Sequence, residues 1–343
     1  MLQAVMLTPG VIEFHEVDVP KVAGDEVLLR ILRIGVCGSD LHVFHGKHPY
    51  TPYPVVQGHE VSGEVVELGE NVRSLNLGDK VTFMPQVTCG TCYACRSGNH
   101  HICERLKVMG FQTTGAASEF FAVKASKVIR LPSELSIEEG AMVEPLAVAV
   151  HALSRSGNVE GKKVLVLGAG PIGHLVAQTA RGLGASAVMI TDISAFRLQM
   201  AAQCGIDYCV NPAQENLAEA IQRYFGSDRA DLILECVGIE ATMTQAIACA
   251  RKGSAIVVVG VFAAKALVDL GLIQDRELRL VGTLMYQEHD YRKAIELIRA
   301  GKVNLKPLVT NHFAFEDYLG AYRFIDEKKD LVMKVMIDVG ATA

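Results

Sequence analysis

The chain has 343 residues, half of them hydrophobic and 21% charged, with a formal net charge of −5. That length predicts about two domains with real cores, and the composition excludes wholesale disorder. The mildly acidic balance gives no electrostatic reason to seek nucleic acid or an anionic membrane.

The N-terminus, MLQAVMLTPGVIEFHEVDVP, has no basic stretch followed by an apolar one, so no secretory leader is expected. Over the first 130 residues, short valine-rich runs at 26–35, 60–69 and 79–85 alternate with Gly, Pro and Asp and predict short strands. Residues 133–153 are acidic early and apolar at helical spacing later, which predicts a pair of helices. The apolar stretch 164–190 is broken by five glycines, His174, Gln178 and Arg181, and suits a buried strand-turn-helix better than a membrane span. These readings point to a cytoplasmic protein. From Lys163 onward, β-rich runs at 163–168, 187–192, 207–210, 231–236, 254–260 and 278–283 alternate with segments of helical texture such as 174–183 and 241–252. Six strands alternating with helices predict an α/β fold with a parallel, doubly wound sheet. A helix at 290–301 and a strand at 332–339 follow. The expected organisation is a dinucleotide-binding domain over 148–286, inserted into a discontinuous β-rich domain made of 1–147 and 287–343.

The loop Gly168-Ala169-Gly170-Pro171-Ile172-Gly173 joins the first of these strands to its helix. In G-x-G-x-x-G the first glycine permits the tight turn, the second lets backbone approach a pyrophosphate, and the third lets helix and strand pack closely. The helix N-terminus then offers unpaired N–H groups to the phosphates. Asp192 ends the next strand, nineteen residues past Gly173. An acid there bonds both ribose hydroxyls and repels a 2′-phosphate, favouring NAD over NADP. An ordinary glycine turn with a surface aspartate is the plainer reading, and the strand-loop-helix-strand context argues against it. Arg197, five residues on, is placed either to reach the adenosine or on a solvated helix face.

Four of the nine cysteines, Cys89, Cys92, Cys95 and Cys103, fall within fifteen residues. In a chain without a leader, such a cluster reads as metal-binding rather than disulfide-bonded. Four thiolates with no open position imply a closed structural zinc site; an iron–sulfur cluster is the rival. The neighbouring His100 and His101 read as solvated loop residues. Three further segments carry ligand-type residues: Cys37-Gly-Ser39-Asp-Leu-His42, Gly58-His59-Glu60, and Glu144-Pro145. A catalytic zinc wants three protein ligands and an open position. Cys37, His59 and a glutamate would supply them, although spacing alone cannot bring residues 37, 59 and 144 together.

Taken together, C-G-S-D-L-H at 37–42, G-H-E-x2-G-x5-G-x2-V at 58–72, the cysteine lobe, V-E-P at 143–145, the glycine loop and LKPLVT at 305–310 resemble the zinc-containing medium-chain alcohol dehydrogenases, within them the polyol (sorbitol-type) branch. The resemblance covers essentially the whole chain. It implies a GroES-like catalytic domain beside a Rossmann domain, two zinc ions (one catalytic, one structural), NAD, and a homodimer or homotetramer. By position, it implies catalytic-zinc ligands at Cys37 and His59, with Glu60 or Glu144 completing the shell. Ser39 and His42 stand as a proton relay, and the four lobe cysteines as structural-zinc ligands. Gly168, Gly170, Pro171, Ile172, Gly173, Asp192 and Arg197 form the cofactor site. The activity implied is hydride transfer between NAD and a secondary alcohol of a small polyol, diol or sugar acid. Where that branch carries Phe-Arg-Tyr after the last Rossmann strand, this chain has Leu284-Met285-Tyr286, and Val43 follows His42 where tyrosine is common. Met285 neither carries charge nor donates a hydrogen bond, so sorbitol itself is disfavoured. A threonine-type amino-alcohol dehydrogenase and a non-catalytic relative are the competing readings. Glu144 and Ser39 argue against the first. The joint presence of Cys37, His59, Ser39 and His42 argues against the second.

Overall fold

The structure, a computed structural model, describes residues 1–340. It resolves two compact units, Met1–Glu144 with the segment from Val309 onward, and Pro145–Leu308. No helix among the described residues is long and apolar enough to cross a membrane.

The second unit is built on six parallel strands in the order Tyr208–Val210, Ala187–Thr191, Lys163–Leu167, Ala230–Glu235, Ala250–Val258 and Arg279–Gly282. This is the dinucleotide-binding strand order, with its switch point beside Lys163–Leu167. The residues Val164 to Leu167 are wholly buried, because a parallel strand covered on both faces must be apolar on both. The unit extends to Leu308, past the expected boundary at 286. Two long-range bonds explain this: His151 Nδ1 lies 2.9 Å from Asp290 Oδ2, and Asn304 N donates to Gln178 Oε1 at 2.6 Å. They tie the helix Glu288–Arg299 and the segment after it to this unit.

The first unit centres on a seven-stranded sheet in which Glu26–Gly35 pairs antiparallel with Glu60–Leu68, Phe120–Lys124 and the C-terminal strand Lys334–Asp338. Its core runs from Ala4 and Val27 through Val61, Phe83 and Phe121 to Tyr318, Tyr322 and Ile337. A helix at Tyr318–Lys328 was not expected from the sequence.

The pair of helices expected at 133–153 is one helix, Ile137–Ser154, with Pro145 inside it. Proline removes a helical hydrogen bond and crowds the preceding turn. Burial overrides that cost here, since Ala141, Met142, Val143, Leu146 and Ala147 are completely buried.

Candidate active site and metal centres

Strand register brings the scattered ligand-type residues together. Gly35 ends its strand opposite Glu60, the first residue of the next. Cys37 lies two residues past Gly35, and His59 immediately precedes Glu60. A side chain at Gly35 would collide with the Glu60 carboxylate, so the glycine makes room for the acid. The result is one group in which Cys37 Sγ, a ring nitrogen of His59 and a carboxylate oxygen of Glu60 lie within 4.8 Å of one another. His59 and Glu60 are buried, 5% and 1% exposed. Glu144 is buried nearby and its charge acts on His59 and Lys334, but it is not part of the converging set.

Three residues not singled out from the sequence complete this site. Lys334 Nζ donates to both oxygens of Glu60, at 2.7 and 2.6 Å, and to the carbonyl of Val36 at 3.2 Å. Asp40 Oδ2 accepts the Cys37 N–H at 3.0 Å, and Asp40 Oδ1 stands 3.5 Å from His59 Nδ1. Gln57 donates to Asp40 Oδ1 at 3.1 Å. Burial raises the Asp40 carboxyl above its usual range against the pull of His59. For His59, burial works to lower the imidazole's pKa, but Asp40 and Cys37 outweigh it and hold the pKa well above the ordinary value. An imidazole and a thiol facing each other in a buried acidic setting form a donor set suited to a divalent cation such as zinc.

Ser39 and His42 lie on the short helix Gly38–Phe44 that begins at Cys37. Three residues apart, they share a helix face. Ser39 is half-buried and His42 exposed, so the face runs from the buried group toward solvent.

The cysteine lobe is compact. The Sγ separations are 4.0 Å for Cys89–Cys95, 3.9 Å for Cys92–Cys103 and 3.5 Å for Cys89–Cys103. All nine cysteines are free. Four thiolates bonded to one zinc at about 2.3 Å stand about 3.8 Å apart in a tetrahedron. These separations match that edge and exceed a disulfide bond, near 2 Å. Sulfurs this close enclose one ion rather than four irons that each bind their own thiolate. Backbone N–H groups of Cys89, Cys92 and Arg105 point at the sulfurs. Those of Thr91 and Cys92 hold the Cys89 thiol down at about 5. His101, expected in solvent, is buried at 6% exposed, whereas His100 is exposed.

In the second unit, Gly168 has φ +97° and Gly170 N-caps the helix Pro171–Gly182, with Pro171 at its first position and Ile172 following. A Cβ at Gly173 would run into the Gly168 carbonyl, whereas one at Gly170 would point into open space. That is a loop closed on the protein side and open where a pyrophosphate approaches. Asp192 accepts from Ala169 N at 2.8 Å and Ser194 N at 2.9 Å, and Arg197 Nη1 lies 3.7 Å from it. The Asp192 carboxylate is thereby fixed beside the glycine loop. His174, wholly buried, pairs through Nε2 with the Arg197 carbonyl at 3.1 Å, and burial drives its imidazole down to about 4.

A doubly wound parallel sheet with a glycine loop in one unit, and two metal-type clusters in the β-rich other unit, define a metal-dependent, nucleotide-linked dehydrogenase. Residues 23–133 match the alcohol dehydrogenase GroES-like domain family, and residues 171–300 match the zinc-binding dehydrogenase family. The chain is 35% identical to 2-dehydro-3-deoxy-L-galactonate 5-dehydrogenase of Pseudoalteromonas atlantica, over 92% of each chain. It is 34% identical to sorbitol dehydrogenase of Ovis aries, over 98% of this chain and 96% of that one. It is 33% identical to L-threonine 3-dehydrogenase of Pyrococcus horikoshii, over 91% of each. The solved galactitol-1-phosphate dehydrogenase of Escherichia coli superposes with a TM-score of 0.92 at 31% identity, covering 99% of this chain and 100% of that one. The chain belongs to the zinc-containing medium-chain dehydrogenase family, in which its relatives include polyol and sugar-acid enzymes.

Proposed function

We propose that the protein oxidises a secondary hydroxyl of a small polyol, diol or sugar acid, passing the hydride to NAD. The convergence of Cys37, His59 and Glu60 on one buried point carries this reading. Zinc held there would supply Lewis acidity that eases loss of an alcohol's proton near neutral pH, and a bound nicotinamide would supply the hydride acceptor. The chain's own residues do the rest. Cys37 and His59 hold the ion. Glu60, and Glu144 close by, offer exchangeable carboxylates as substrate enters. Ser39 takes the hydroxyl proton and His42 delivers it to solvent. Gly168, Gly170 and Gly173 admit the pyrophosphate, while Asp192 takes the ribose hydroxyls and rejects a 2′-phosphate, which selects NAD. Cys89, Cys92, Cys95 and Cys103 hold a second, structural zinc.

The nearest substrate reading is a sugar acid or polyol, supported by the relatives acting on 2-dehydro-3-deoxy-L-galactonate and sorbitol. Met285, at φ +51° in the turn after the last strand of the parallel sheet, stands where the polyol branch carries arginine and can neither carry charge nor donate a hydrogen bond, which disfavours sorbitol itself. An amino-alcohol substrate is the second reading, favoured by the threonine dehydrogenase relative. The open edge strand Arg279–Gly282, with Leu280 exposed, supports a dimer or tetramer paired along that edge.

NAD and NADP reduction over a panel of sugar acids, polyols, diols and L-threonine, before and after chelation, tests the proposal. Chelator-sensitive NADH formation on a sugar acid or polyol is expected. Turnover of L-threonine alone would replace the substrate reading. No turnover in protein shown to hold two zinc ions would overturn the activity.

A further inference from the structure

His59 is flanked by two buried acids that are held by different means. Glu60 is gripped by a cation, Lys334. Asp40, 1% exposed, takes its hydrogen bonds from neutral groups, the Cys37 N–H and the Gln57 amide, which also donates to the Asp40 carbonyl at 3.3 Å, and faces His59 as an ion-pair partner. The Gln57 amide is itself tied at its other end. Tyr322 donates its hydroxyl to Gln57 Oε1 at 2.8 Å. Tyr322 lies on the C-terminal helix Tyr318–Lys328, wholly buried, with its ring against Tyr318 at 5.5 Å and Phe44 at 5.2 Å. Burial pushes its phenol well above the usual range, so the hydroxyl stays protonated.

The polarity of this chain runs one way. With Oε1 occupied by the tyrosine, the NH2 of Gln57 faces the two acceptors of Asp40; a turned amide would set its carbonyl against both. Neutral donors hold the Asp40 carboxylate in place without cancelling its charge, unlike Lys334 at Glu60. That charge faces His59 Nδ1 at 3.5 Å, an atom that makes no hydrogen bond of its own. A carboxylate on the far nitrogen of a ligating histidine sets its tautomer and makes the other nitrogen a better ligand.

We propose that Gln57 and Tyr322 are positioning residues for the catalytic metal, fixing the His59 ring through Asp40. This rests on the reading of Cys37 and His59 as ligands. The test uses full-length, zinc-loaded protein and follows zinc release to a chelator. Wild type is expected to release two equivalents in separate phases, one from Cys37–His59 and one from the cysteine lobe. Tyr322→Phe, which keeps the ring, and Gln57→Met, which keeps the length, are each expected to speed the first phase about tenfold or more and leave the second unchanged. Cobalt loaded into the first site is expected to show a shifted visible absorption band in both variants. Unchanged release and an unchanged cobalt spectrum, with only a lower melting temperature, would show that the two residues merely pack and overturn the proposal. A wild type that binds metal at the cysteine lobe alone would instead overturn the metal reading beneath it.

Discussion

Lys334→Met is expected to unfold the metal-stripped first unit far more easily than its area suggests. Lys334 and Glu60 have side chains 3% and 1% exposed, and the ammonium spans both carboxylate oxygens and the Val36 carbonyl. Methionine keeps most of the stem but removes the cation, leaving the buried Glu60 carboxyl without its partner. Breaking a buried pair from one side costs about 3–5 kcal/mol. At about 2–4 °C per kcal/mol for a unit of 150–250 residues, the melting temperature falls by roughly 10 °C. The double variant Glu60→Gln/Lys334→Met has no charge left to strand and is expected to recover most of that loss. The assay is scanning calorimetry on chelator-treated full-length protein, with zinc repletion as a second arm. A replacement cation near Glu60 is expected to narrow the gap between Lys334→Met and wild type. A single-variant shift under about 2 °C in stripped protein would refute the claim that the lysine neutralises this carboxylate.

His174 gives a pH dependence of defined sign. Its pKa is about 4 in the folded chain and 6.5 as the ordinary value, so below about 6.5 the unfolded chain binds the proton first. Its contribution is present at neutral pH and falls as pH drops toward 4, by about 2 kcal/mol at pH 5. His174→Gln, whose amide can still donate to the Arg197 carbonyl, is expected to flatten the wild-type loss of urea stability between pH 7 and pH 5; parallel slopes would refute it. In the cysteine lobe, Cys95→Ala removes a buried sulfur from the tetrahedral set. Metal analysis is expected to find one zinc fewer per chain and proteolysis to cut within 89–103, whereas a full complement of zinc would exclude a site built on all four cysteines.

Two sites were legible in contiguous sequence because their chemistry is local. The glycine loop needs its residues within six positions, since a turn, a close backbone approach and a helix N-terminus are neighbours along the chain. The cysteine lobe closes on itself within fifteen residues, so ligand spacing carries the geometry. The strand and helix alternation of the second unit follows from burial on both sheet faces. The single helix through Pro145 and the burial of His101 were not legible in the same way, because surrounding packing overrode a local propensity.

The sequence by itself thus determined the parallel sheet, the glycine turn between its first strand and helix, and the clustering of four cysteines, where hydrophobic pattern and residue spacing act over a few residues. Only the tertiary structure decided that Cys37, His59 and Glu60 meet, because antiparallel register sets Gly35 opposite Glu60. It also decided what surrounds them. Lys334 and Tyr322 reach the group across more than 260 positions of chain, and no periodicity marks them. Their roles arise from burial, which requires each acid beside His59 to find a partner wherever the fold supplies one.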